Sequence, residues 1–115
     1  NTGAAEQTLL DIACGMAVQG KKPFVYSITS FLIYRPFETL RTYINHERIP
    51  VRLIGSGRDK DYLHDGFSHY AHDLRQFVGR FRGINKLWPE TKEEIPALVE
   101  QMVIEDKSWF ISLKR

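Results

Sequence analysis

Residues 3–28 read GAAEQTLLDIACGMAVQGKKPFVYSI, and the rest of the chain is organised around this run. Turning about 100° per residue, Ala5, Leu9, Leu10, Ile12, Ala13, Met16 and Ala17 share one broad side, whereas Gln7, Thr8, Asp11 and Gly15 share the other. The pattern predicts an amphipathic helix from about Gly3 to Gln19, stopped by Gly20, a residue suited to the left-handed turn that closes helices. Pro23 to Ile28 then reads as a short buried strand, because it is apolar and β-rich. A helix feeding a strand is the repeating unit of parallel α/β architectures.

One residue breaks the apolar side of that helix. Glu6 projects between Ala13 and Ala17, where a carboxylate gives up hydration and its pKa is pushed upward unless a donor compensates. Two explanations follow. Either a neighbouring Arg, Lys or backbone group satisfies Glu6 structurally, or its carboxyl is kept ready to exchange a proton with a ligand.

The remaining chain continues the alternation. A helix is predicted from Pro36, fitted to a first helical position, to about Glu47, with Phe37, Leu40 and Ile44 inward. Val51–Ser56 reads as a strand, Gly57–Ser68 as a polar connection, His69–Phe81 as a helix and Ile84–Trp88 as a weaker strand. Glu93–Ile104 is an amphipathic helix with Ile95, Leu98, Val99, Met102 and Val103 aligned, and Ser108–Leu113 is a closing strand. The fold class expected is a doubly wound α/β domain, residues 1–115, with a mainly parallel sheet and helices on both faces. The first helix has no strand before it. Either its strand lies outside the sequence or it packs on a partner chain, and parallel α/β units usually begin at a strand.

Composition narrows the function classes. The formal charge is +2, from scattered Lys and Arg rather than a basic stripe, which argues against nucleic acid. No apolar run approaches the ~20 residues of a membrane span, and the opening is not a signal peptide. The lone Cys14 has no partner for an internal disulfide, which suits a reducing, cytoplasmic location.

Topology gathers the unusual residues. Ligands of parallel sheets bind beyond the carboxyl ends of the strands, where the following helices begin. Glu6 lies in a first helical turn; Phe31, Tyr34 and Arg35 are expected in the loop leaving the first strand; Asp65 and His69 lie in or just beyond the loop leaving the second. All fall on one edge of the sheet.

The run Gly3-Ala4-Ala5-Glu6-Gln7, the following KPFVYSITSF (residues 22–31) and Asp65-Gly66-Phe67-Ser68-His69 resemble, in order and interval, the pyrimidine-binding domain of thiamine-diphosphate enzymes such as transketolase and deoxyxylulose-phosphate synthase. The family pattern is G-[IA]-A-E-Q, a strand leading to an aromatic-containing loop, then D-G-x-[ST]-H, and the resemblance covers essentially the whole chain. It implies that Glu6 hydrogen-bonds the aminopyrimidine nitrogen and favours the imino tautomer, whose nitrogen deprotonates the thiazolium carbon. It implies that Phe31 packs on the pyrimidine, and it leaves open whether Tyr34 or Arg35 faces the cofactor, because Leu32–Phe37 fits only with a one-residue shift. Asp65, His69 and Arg35 are implied on the sugar-phosphate side, with Glu6 and His69 as the catalytic residues. Phe67 departs from the small residue or proline usual there. His64, His69 and His72 invite a metal reading, but no further ligand pattern accompanies them.

The Gly-Asp-Gly motif and downstream Asn that hold Mg²⁺ and diphosphate in this family are missing, and Gly55-Ser56-Gly57 is a poor phosphate loop. The resemblance therefore implies half of a catalytic site: the diphosphate and Mg²⁺ would be held by a partner domain or subunit, in a homo- or heterodimer, and the reaction would be transfer of a two-carbon ketol unit between sugar phosphates. The rival expectation is a non-catalytic interaction domain that keeps the fold to dock a partner.

Overall fold

A computed structural model describes all 115 residues, Asn1–Arg115. Its elements are α1 (Glu6–Val18), β1 (Phe24–Ile28), α2 (Thr29–Tyr34), α3 (Phe37–Thr39) running into a π-helical stretch (Leu40–His46), β2 (Arg52–Ser56), α4 (Leu74–Gly79), β3 (Ile84–Leu87), α5 (Ile95–Ile104) and β4 (Ser108–Leu113). Short 3₁₀ turns occupy Leu63–Asp65, Phe67–His69 and Lys92–Glu94. No helix is long and apolar enough to cross a membrane.

The four strands form one all-parallel sheet in the order β1-β2-β4-β3. The connection from β2 to β3 skips a place, and the return to β4 fills it in the reverse direction. With right-handed crossovers that reversal sends α5 to the opposite face from the helices before it, and the core divides accordingly. On one face Leu10, Leu32, Ile33, Leu40, Ile44, Leu53, Leu74 and Phe110 are fully buried together; on the other Met102, Trp109 and Ile111 pack with Ile54 and Leu98. Neighbours in β2 and β4, Leu53 against Ile54 and Phe110 against Ile111, point to opposite layers, the period-2 signature of a sheet covered on both sides.

Helix α1 closes as predicted. Gly20 takes φ +77°, and the Gly20 and Lys21 amides donate to the Ala17 and Met16 carbonyls at 2.9 and 3.0 Å, a Schellman closure. Its polar side is tied down: Thr39 Oγ1 donates to Asp11 Oδ1 and accepts from Gln7 Nε2, each at 2.5 Å. Ile12 and Met16, expected inward, are exposed, and Cys14 turns in instead.

Three expectations are corrected. The chain is already helical at Thr29, so Phe31 and Tyr34 lie on α2 and Arg35 caps it, rather than standing in a loop. Gly55 makes this possible: a Cβ there would lie 2.6 Å from Thr29 Oγ1 and 3.0 Å from Phe110, so only glycine lets α2 start directly against β2. Second, the helix expected from His69 begins at Leu74. Tyr70 is extended (ψ 142°) and Ala71 pairs with Asp59, its amide 2.8 Å from the Asp59 carbonyl, which pulls the segment away from helical geometry. Third, Phe37 is exposed while Leu40 and Ile44 are fully buried, and of the apolar side of α5 only Met102 is fully buried.

A fully buried Arg52 on β2 was not anticipated. Its guanidinium donates to the Met102, Glu105 and Pro50 carbonyls at 3.0, 2.8 and 2.8 Å, supplying partners to carbonyls at the end of α5 that the helix leaves unpaired.

Candidate functional site

The site lies at the carboxyl end of β1. Glu6 opens α1, and its residue is only 6% exposed. Ser27 follows Val25 on the same side of β1, under α1, and its hydroxyl donates to Glu6 Oε1 at 3.1 Å. The Arg35 guanidinium, from the end of α2, donates through Nη1 to Oε2 at 2.8 Å. Both carboxylate oxygens therefore have a donor.

This arrangement decides the charge on Glu6. Burial pushes the carboxyl up, but hydrogen bonds from Arg35, its own backbone amide and Ser27, together with the Arg35 charge, outweigh burial and hold it below its ordinary value. Donors therefore compensate the burial of Glu6. In the free chain Glu6 is a carboxylate, not a poised acid.

Arg35 makes a second contact. Its guanidinium carbon lies 3.8 Å from the centroid of the Phe31 ring, a close cation–π arrangement. Phe31 in turn meets the His69 ring at 4.7 Å and 64°. His69 also faces Tyr62 at 6.2 Å, and its Nδ1 lies 3.2 Å from Ser68 Oγ. The turn carrying His69 is pinned to α2, because the buried Ser30 hydroxyl donates to the Ser68 carbonyl at 2.9 Å. Glu6, Arg35, Phe31 and His69 thus form one continuous series of contacts built from three separate segments.

Other expected residues lie apart. The Tyr34 ring packs on Phe77 at 5.4 Å, and burial followed by the Asp73 carboxylate raises its hydroxyl pKa above the ordinary tyrosine value. Asp65 ends an exposed 3₁₀ turn just before Gly66, with its carboxylate free of hydrogen bonds within the chain. The histidines do not converge: His72 stacks against Phe67 and Tyr70, His69 against Phe31, and no group of three or more His, Cys, Asp and Glu side chains is placed to hold a metal ion. Ser27 and Ser30 were missed by sequence reasoning. Ser27 was findable, because it is the polar member of the Val25 side of β1, the side that faces a carboxylate in need of donors.

A cavity of about 440 Å³ opens beside Glu6 and Ser27, walled by Asn1, Thr2, Gly3, Leu9, Tyr26 and Ile28. A cavity of about 560 Å³ lies on the other side of α1, against Thr39, Thr42 and Tyr43. It contains none of the contact series, whereas the cavity beside Ser27 is lined by Glu6.

The fold is a parallel α/β domain, and the contact series from Glu6 to His69 lies beyond the carboxyl end of β1. No protein-family model matches the chain. The chain is 24% identical over 115 residues, its whole length, to a 6-deoxy-6-sulfo-D-fructose transketolase subunit of Clostridium sp. (strain MSTE9). It is 28% identical over 102 residues, 88% of its length, to an apulose-4-phosphate transketolase subunit of Phocaeicola vulgatus. It spans 36% and 32% of those two proteins, about a third of their length. Among solved structures it superposes on the inactive β4 tetramer of a split-gene transketolase, with TM-score 0.84 and 23% identity, over 96% of this chain and 35% of that one. The chain is therefore similar to transketolase subunits along its full length, and its fold is the transketolase-type α/β fold.

Proposed function

We propose that the chain is the pyrimidine-binding portion of a thiamine-diphosphate-dependent, transketolase-like enzyme that moves two-carbon ketol units between sugar phosphates. The observation that carries the reading is the pairing of a buried carboxylate, Glu6, with an aromatic face, Phe31, at the ligand edge of the sheet. A flat, nitrogen-rich group needs such a pair, an acceptor at its rim and a ring beneath it. The Arg35 guanidinium, planar and rich in N–H donors, already satisfies both, so the residues present fit an aminopyrimidine.

When bound, thiamine diphosphate supplies an acidic carbon at which a two-carbon unit can be carried between sugars. Glu6 would hold a proton at a pyrimidine nitrogen, with Ser27 orienting the second carboxylate oxygen. Phe31 supports the ring and keeps water from that hydrogen bond, which strengthens it. On the sugar-phosphate substrate, Asp65, exposed on the adjoining turn, would bind through the hydroxyls and His69, packed against Phe31, through a hydrogen bond. Binding of the diphosphate and its Mg²⁺ falls to a partner domain or subunit.

Calorimetric titration with thiamine diphosphate and Mg²⁺ tests the reading. The expected result is binding when the chain is combined with its diphosphate-binding subunit and none tighter than the millimolar range for the chain alone. One carboxyl hydrogen bond, net ~1 to 3 kcal/mol, plus stacking of about 1 kcal/mol, only offsets an association cost of at least ~4 kcal/mol. Micromolar binding to the chain alone would overturn the division of labour. A docking-only domain is the second reading, favoured by one observation: the ion pair with Arg35 satisfies Glu6 with no ligand at all. On that reading neither titration gives heat.

A further inference from the structure

Both contacts that a flat ligand would make at this site are already made by the chain itself. Arg35 donates to Glu6 Oε2 at 2.8 Å and lies 3.8 Å from the Phe31 centroid. The guanidinium and a 4-aminopyrimidine share their recognition chemistry: a planar, delocalised N–C–N unit with N–H donors at its rim and a face that stacks on a phenyl ring. An aminopyrimidine lying on that face of Phe31 with its rim toward Oε2 would need the space the guanidinium fills.

The members of the contact are also unequally held. Glu6 is buried and fixed by Ser27 on its other oxygen, and Phe31 is wedged against His69. The Arg35 side chain is 45% exposed against 6% for Glu6, and it hangs from the end of a six-residue helix. Arg35 is the member with a route into solvent.

We propose that Arg35 is a built-in occupant of the pyrimidine site, whose guanidinium must leave Phe31 and Glu6 before an aminopyrimidine can enter. The proposal rests on the pyrimidine reading of the site. It makes ligand entry a competition: the free energy of the Arg35 contacts is subtracted from ligand affinity, and a partner that draws Arg35 outward opens the site.

The test uses the full chain, with side-chain and amide resonances of Ser27, Phe31 and Glu6 followed by NMR during titration with 4-amino-2-methylpyrimidine and, separately, with guanidinium chloride at low millimolar concentration. Arg35→Ala removes the occupant. Arg35→Ser also removes it, leaves the Phe31 face open and serves if the alanine variant fails to fold. The expected result is that either variant binds the aminopyrimidine at least about tenfold more tightly than wild type, that guanidinium competes with it in the variant, and that Glu6→Gln in the variant background abolishes both. Equal or weaker aminopyrimidine binding in the variant would overturn the occupancy proposal and leave the pyrimidine reading standing. Guanidinium binding to the variant with no aminopyrimidine binding to it would also overturn the occupancy proposal, because the contacts would then define only a slot for an arginine; the pyrimidine reading itself is tested by the titration of the chain combined with its diphosphate-binding subunit.

Discussion

Arg35 and Glu6 lie 29 residues apart in sequence and 2.8 Å apart in space, joined across the carboxyl edge of the sheet by the end of α2 and the start of α1. The relationship sets the sign of the local electrostatics. Burial works against the charge on Glu6, and Arg35 with Ser27 and the helix amide restores it.

A pH dependence follows from that sign. The Glu6 carboxyl has a folded pKa below its unfolded one, so its contribution to stability is fully present above the unfolded value, about 4.3, and is lost as pH falls through the lower folded value. Arg35→Ala leaves burial to act with less opposition and moves the folded pKa upward. The expected outcome is a wild-type advantage in urea midpoint that is clear at pH 7 and shrinks toward pH 3, where Glu6 is increasingly protonated in both proteins. A difference independent of pH would show that Arg35 stabilises through packing alone.

Gly55 links the core to the site. With Thr29 Oγ1 only 2.6 Å from the position a methyl group would take, Gly55→Ala should cost roughly 1–3 kcal/mol, as overpacking does, and should displace the start of α2, carrying Phe31 and Arg35 with it. Denaturant unfolding measures the first effect and the Phe31–His69 ring-current shifts the second. Thr29→Ala in the Gly55→Ala background should recover part of the loss, although it gives up the 3.0 Å bond from Thr29 to the Ser56 carbonyl.

His69 is proposed to touch the substrate and not the cofactor. On the proposed reading, His69→Ala raises the Michaelis constant for phosphorylated sugars in the assembled enzyme and leaves thiamine-diphosphate affinity nearly unchanged. Equal losses in both would mean that the His69 turn, through its contact with Phe31, supports the whole pocket.

The legibility of the sequence varied with the length of its signals. Glu6 was readable as buried because α1 is thirteen residues long and Leu10, Ala13 and Ala17 set its inward side, although Ile12 and Met16, expected on that side, are exposed. The strand Ser108–Leu113 was readable to the residue, since an aromatic and β-branched run, Trp109-Phe110-Ile111, between charged flanks has few other uses. Arg35 was not placed as the partner of Glu6, because α2 is only six residues and follows β1 with no cap or glycine between them. Ile28 and Thr29, both β-branched, read as strand or loop until Gly55 on the neighbouring strand reveals the space for a helix. The same limit misplaced His69, where a bridge between Asp59 and Ala71 overrides a weak helical pattern. Local pattern identified the residues of the site, and tertiary contact determined their partners.

Glu6 is proposed to act on the pyrimidine ring, and hydrogen–deuterium exchange at the thiazolium carbon of thiamine diphosphate, in the enzyme assembled with its diphosphate-binding subunit, reads that action. Glu6→Gln keeps the shape of the side chain but cannot share a proton with the ring nitrogen in the same way, so exchange should slow by about 10²- to 10⁴-fold, the usual range for a lost acid–base group, while the folded circular-dichroism spectrum is retained. Exchange at the wild-type rate in a folded Glu6→Gln enzyme would contradict the account and return Glu6 to the role of a structural partner for Arg35.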